Sequence, residues 1–200
     1  MIEGIVATYV NVAIHEPLRG GSCRPLPKKL QNKTAIINIQ NGDYQCPRWT
    51  LRVALYPAPR GNNPIRPASH SAEDGLNFAG IDLPTPVSQI DKLETQNPNL
   101  AINVFGWEKY NVIVHRISEK DGSIQRINLM ITQEGFNTHY SYMKRLMTLL
   151  YDHSKNCNSK HFCERCLQRY SRIDLLERQE ERKCPKREKT RCLSETSTSK

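Results

Sequence analysis

Hydrophobic residues fall into short clusters along the chain, separated by polar, glycine-rich or proline-rich stretches, and the spacing inside each cluster predicts an element. Residues 34–40 (TAIINIQ) are rich in β-branched side chains and stop at the turn pair Asn41-Gly42, the mark of a strand. Pro47 suits the first position of a helix, and Trp49, Val53 and Tyr56 follow at helical spacing, so a short helix is expected over 47–56, ended by Pro57 and Pro59. From 58 to 86 the density of Pro, Gly and Asn predicts a long irregular loop, with Thr85-Pro86 starting a short helix through Leu93. Three strands are expected at 100–105, 112–117 and 126–132, with Ile127, Leu129 and Ile131 on one face. Asp121-Gly122 between the second and third predicts an antiparallel hairpin. Met143, Leu146, Met147 and Leu150 then form an i, i+3, i+4, i+7 stripe that predicts a helix over 141–151.

Together these elements predict an α+β domain over 34–152, an antiparallel sheet with packed helices. An extended lead-in (1–33) precedes it, because Gly20, Gly21, Pro25 and Pro27 interrupt any long element. A small ββα zinc-finger-like segment (153–184) and a basic disordered tail (185–200) follow. No internal repeat is evident.

Charge sharpens the view of the C-terminal quarter. The net charge is +9, and residues 151–200 hold 13 Lys and Arg against 8 Asp and Glu, so 13 − 8 = +5 sits in that quarter. Such a segment favours DNA or another polyanion through charge alone, without sequence preference, or else is a solvated tail. The opening MIEGIVATYVNVAIHEP has no basic leader, and no stretch approaches the roughly 18 apolar residues that span a bilayer, so an intracellular protein with no membrane partner is expected. In a reducing compartment the seven cysteines are ligands, reactive thiols or core residues rather than disulfides, and five of them follow residue 156.

Cys163 and Cys166 form a C-x2-C pair, the spacing that places two thiolates on adjacent corners of a zinc tetrahedron. Tyr170 and Leu176 fall where the small core of a ββα finger lies. Continuing in frame, Gln179 stands where zinc binding wants His, and Cys184 follows in the last ligand position. An amide has no free nitrogen lone pair, and its oxygen is a poor zinc ligand, so Cys163, Cys166 and Cys184 form an incomplete zinc site that Cys192, His161, Cys157 or water would have to complete. Arg165, Arg169, Arg172, Arg178, Arg182 and Lys183 are the candidates for nucleic-acid contact.

The run from GLNFAGIDLPTPVSQIDKLE through HYSYMKRLMTLL to HFCERCLQRYSRIDLLERQEERKC, with NKTAIINIQNGDYQCPRWTLRVALYPA upstream, resembles the region preceding the polymerase in protein-primed family B DNA polymerases of Polinton (Maverick) transposons and adintovirus-like elements. The likeness covers roughly residues 32–184. It implies a Cys-Cys-His-Cys finger with Gln179 at its broken position, and a nucleic-acid-associated, nuclear setting. These 200 residues contain no Asp-x-Asp pair, the carboxylate arrangement that two-metal phosphoryl transfer needs, so polymerase activity is not expected of them. The leading expectation is therefore a nucleic-acid-associated binding module, with a non-functional truncated remnant as one alternative.

The other alternative is an enzyme. Cys46 stands at the start of the predicted helix, where a thiol is a stronger nucleophile because the helix N-terminus favours its anion. His139-Tyr140 comes after the last predicted strand, and this order resembles that of papain-like cysteine hydrolases, including the ovarian-tumour type deubiquitinases, in which a histidine is often followed by an aromatic residue. A third residue to orient the imidazole is not evident; Asp152 and Asn137 are only nominal candidates, and a structural cysteine satisfies the same pattern. His115, in mid-strand, is given no role.

Overall fold

The computed structural model describes residues 24–31, 33–71, 73–109, 111–120, 124–134, 137–150, 161–165 and 167–181. They form α1 (Lys28–Gln31), β1 (Ile36–Ile37), α2 (Cys46–Leu55), α3 (Ile90–Gln96), β2 (Leu100–Glu108), β3 (Asn111–Arg116), β4 (Gln125–Glu134), β5 (Asn137–Met143), α4 (Leu146–Leu150), β6 (His161–Phe162), β7 (Arg169–Tyr170) and α5 (Ile173–Glu181). Strands β1 to β5 make one sheet in the order β1-β5-β4-β2-β3, antiparallel except where β2 lies parallel to β4. The α+β expectation is met with a mostly antiparallel sheet. Among the described residues no helix is long and apolar enough to cross a membrane.

Both faces of the sheet are covered. On one, Ile102, Val104, Ile127, Leu129, Ile131 and Tyr140 meet Cys46, Leu51 and Ala54 of α2 and Ile90 and Leu93 of α3. On the other, Phe105, Met130 and Met143 meet Leu30 of α1, Leu146 and Leu149 of α4, and Leu167. The predicted common face of Ile127, Leu129 and Ile131 is observed.

One expectation fails and another holds only in part. The strand pair flanking Asp121-Gly122 is not a hairpin: β4 crosses to lie parallel beside β2, leaving β3 at the edge. Consecutive buried residues Leu129, Met130 and Ile131 need apolar cover on both faces, which only a central strand has, whereas half-exposed β3 suits an edge. The helix expected over 141–151 is strand in its first part and helical only from Leu146. Ser141, Tyr142 and Met143 complete β5, paired with Met130, Leu129 and Ile36, and only Leu146–Leu150 is helical. Flanking strands on either side supplied a ladder that outweighs the local periodicity.

The C-terminal unit is a β6–β7 hairpin followed by α5, with Tyr170 and Leu176 packed against buried Cys163. Its turn is fixed to the sheet by polar contacts. Asn103 and Asn128, paired side by side on β2 and β4, are almost fully buried; Asn103 Nδ2 donates to the Glu164 carbonyl (3.2 Å) and Asn128 Nδ2 to Glu164 Oε1 (3.2 Å). Asn103 Oδ1 in turn accepts from the Ser118 backbone at 2.9 Å, so these central amides have partners in place of water.

Replacing Leu129, fully buried at the middle of the sheet, by Ala should lower unfolding free energy by about 3 kcal/mol in urea titration. Leu175→Ala, at a side chain 40% exposed on α5, should stay within about 0.5 kcal/mol of the native value.

Candidate active site

The site forms where strand pairing stops. β1 pairs with β5 only at Ile36↔Met143 and Ile37↔Tyr142, after which the chain turns away and Asn38 comes alongside Ser141 and His139. The N-terminus of α2 lies beside the same stretch of β5. Cys46 Sγ lies 2.8 Å from His139 Nδ1, and His139 Nε2 lies 2.5 Å from Asn38 Oδ1. Cys46 and His139, 93 residues apart in sequence, are thus adjacent, and both are buried, at 0% and 1% exposure.

Donor and acceptor chemistry fixes the protonation pattern. The Arg24 carbonyl can only accept, so the Asn38 end that meets it at 2.7 Å is the amide nitrogen. Asn38 Oδ1 then faces His139 and, at 3.0 Å, the Ser141 hydroxyl. Because that oxygen can only accept, His139 Nε2 carries a hydrogen and the neutral ring presents the Nδ1 lone pair to the thiol. This is a thiol–base–orienter line, the arrangement that activates a nucleophile. Asn38 is the third member that the residue pattern did not disclose. Its only sequence signal is its place inside the strand expected over 34–40. Of the nominal candidates, Asn137 opens β5, paired with Glu134, and Asp152 lies outside the described residues.

The loop entering α2 is held by one carboxylate. Asp43 accepts from Asn41 Nδ2 (2.9 Å), the Gln45 backbone N–H (3.0 Å) and Trp49 Nε1 (3.0 Å), closing a turn that ends at Gln45, the residue just before the helix. Pro47 occupies the first turn of α2, where its missing N–H costs no helical bond. Thr50 Oγ1 donates to the Cys46 carbonyl at 2.7 Å, and the Tyr140 carbonyl lies 3.2 Å from both Cys46 Sγ and Thr50 Oγ1. Further along α2, Arg48 grips Asp74 with Nε at 2.8 Å and Nη2 at 3.1 Å, tying the loop before α3 to the helix.

Burial raises the Asp43 pKa, but hydrogen bonds from Asn41, Trp49 and Gln45 together outweigh it and leave the carboxyl below its ordinary range. Asp74 is likewise pushed up by burial and brought lower overall by Arg48, the Leu76 backbone N–H and Arg52. Desolvation drives the His115 pKa down against a smaller opposing effect of Glu108, in keeping with its packing over Gly106 rather than with a place at the site.

The other sequence-derived residues lie apart from this line. Cys163 is buried in the C-terminal unit and His161 is half-buried on β6, while Cys157, Cys166, Cys184 and Cys192 lie outside the described residues. Among the described residues no group of three or more His, Cys, Asp or Glu gathers as a metal site would. Arg165 is half-buried in the turn, Arg169 is on β7, and Arg178 is exposed on α5. Arg172 pairs with Asp174 at 2.9 Å, and Arg182 and Lys183 lie outside the described residues together with Gln179's side chain.

Because Asp43 and Asp74 hold fewer protons folded than unfolded, their stabilisation is present above the unfolded carboxyl value of about 3.9 and is lost as pH falls below it towards the folded values. The urea midpoint should therefore fall between pH 5 and pH 3, and Asp43→Asn should both lower the neutral midpoint and shrink the acid loss; parallel curves for the two proteins would contradict this. Compared with protein-family models, curated proteins and solved structures, the chain matches none.

Proposed function

We propose that this protein is a papain-like thiol hydrolase that cleaves amide bonds, with Cys46 as nucleophile, His139 as base and acid, and Asn38 as orienter. The observation that carries this is the continuous line from Cys46 Sγ through both His139 nitrogens to Asn38 Oδ1. A structural cysteine needs a partner for its S–H, and the Tyr140 carbonyl at 3.2 Å suffices for that. A structural thiol does not require a base whose far nitrogen is fixed by an amide.

The chemistry follows from the placement. Nδ1 takes the thiol proton, and the thiolate forms at the N-terminus of a ten-residue helix, whose end favours negative charge. Attack on a substrate carbonyl makes the C–S bond and moves the π pair onto oxygen, where N–H groups of the helix start can stabilise it. The imidazolium, held by Asn38, gives its proton to the departing amine as the C–N bond breaks. Water, deprotonated at Nδ1, then cleaves the thioester and restores the thiol. Because Cys46 and His139 are enclosed, a substrate reaches them only when the covering side chains are displaced.

A peptide-derived electrophile should modify Cys46, and His139→Ala should slow that reaction by about 10²-fold or more. Equal modification in the native and His139→Ala proteins, or none at Cys46, would refute the assignment.

A second reading concerns the C-terminal unit. Cys163 is 1% exposed beside Tyr170 and Leu176, and the turn after it reverses through Leu167 at φ 57°, with Leu167 N bonded to the Cys163 carbonyl at 2.8 Å. This supports zinc held by Cys163 with Cys166 and Cys184, for which so small a core has energetic need. Native mass spectrometry should show fuller zinc occupancy in Gln179→His than in the native chain; equal absence from both would end this reading.

A further inference from the structure

Asn38 is only half-buried, and at its position β1 has already left the ladder, so no backbone pairing holds its side chain against β5. An amide in that situation rotates readily, and a rotated amide would offer His139 a donor where an acceptor is needed. Two contacts oppose rotation: the Arg24 carbonyl at one end and the Ser141 hydroxyl at the other. We propose that Ser141 is a positioning residue of the hydrolase site, acting through Asn38 to keep the His139 imidazole in its productive orientation.

Ser141 is fully buried, and it sits on β5 two residues beyond His139, the spacing that returns a strand to the same side. Its Oγ lies 3.0 Å from Asn38 Oδ1, the oxygen that His139 Nε2 also meets. The carbonyl oxygen has two lone pairs, so it accepts both bonds without competition. With the hydroxyl on one lone pair and the imidazole N–H on the other, the amide plane is defined by β5 itself. The helix start and strand β5 then hold the thiol and the base, and Ser141 ties the third member to the same strand as the base. Sheet packing alone would have been served by any small residue here; a buried hydroxyl needs a partner, and the one it has is the orienter.

This proposal rests on the hydrolase reading, and one experiment separates the two. Iodoacetamide alkylation of Cys46, resolved by peptide mass, is followed from pH 5 to pH 9 in the full chain and in Ser141→Ala, Ser141→Thr, Asn38→Ala and the Ser141→Ala/Asn38→Ala pair, with thermal melts confirming folding. In the native protein Cys46 should react well below the ordinary thiol range near pH 8.5. Ser141→Ala should lower the rate at pH 6 about fivefold, the worth of one hydrogen bond, and Ser141→Thr, which keeps the hydroxyl, should recover most of it. Asn38→Ala should lower it at least as much, and adding Ser141→Ala to that variant should change nothing further, because the hydroxyl then has nothing to position. Native Cys46 reacting only as an ordinary thiol, or not at all, would overturn the hydrolase reading and this proposal with it. A native acid limb that Ser141→Ala leaves unchanged, or additive effects of the two single substitutions, would overturn the role of Ser141 alone.

Discussion

β1 makes two residue pairs with β5 and then departs, and the candidate site depends on that early departure. Had β1 continued in register, backbone would have lain along β5 beside Ser141, Tyr140 and His139. Instead a side-chain amide and a helix start fill the space, and each brings a group that a strand could not. Asn38 contributes an acceptor set by a backbone carbonyl, and α2 contributes a thiol at the positive end of its peptide dipoles. The loop that links them is only residues 39–45, so one short connection delivers both sides of the imidazole.

Two kinds of restraint make so compact an arrangement rigid. From below, α2 lays Leu51 and Ala54 on the face formed by Ile102, Leu129 and Tyr140, which fixes the height of Cys46 above the sheet. From the side, Asp43 gathers the side chains of Asn41 and Trp49 and the Gln45 N–H, which fixes where the helix begins. Apolar burial is non-directional and sets distance, whereas the carboxylate's hydrogen bonds set direction. The Arg48–Asp74 clasp extends the same logic to the long loop after α2.

The opposite face carries the C-terminal unit, and it too is joined by both kinds of contact. Phe162 and Leu167 enter the second apolar cluster, while Asn103 and Asn128 hold Glu164. Buried amides in adjacent central strands are costly unless satisfied, so this turn completes the sheet as well as resting on it. The β6–β7 hairpin and the turn that joins its strands belong to the same packed body as the Cys46 site.

Much of this was legible in the residues themselves. The helix at Pro47, the shared face of Ile127, Leu129 and Ile131, the grouping of Tyr170 and Leu176 with Cys163, and the order of Cys46 before His139 follow from spacing and local chemistry, which act over a few residues. Tertiary structure alone decided the rest. β4 took the central place beside β2 because three successive apolar residues needed cover on both faces, and Ser141, Tyr142 and Met143 became strand because partners stood on either side. Asn38 was invisible as a site residue for the same reason: it stands 101 residues from His139, and an amide becomes an orienter only where the fold supplies a carbonyl for its nitrogen and an imidazole for its oxygen.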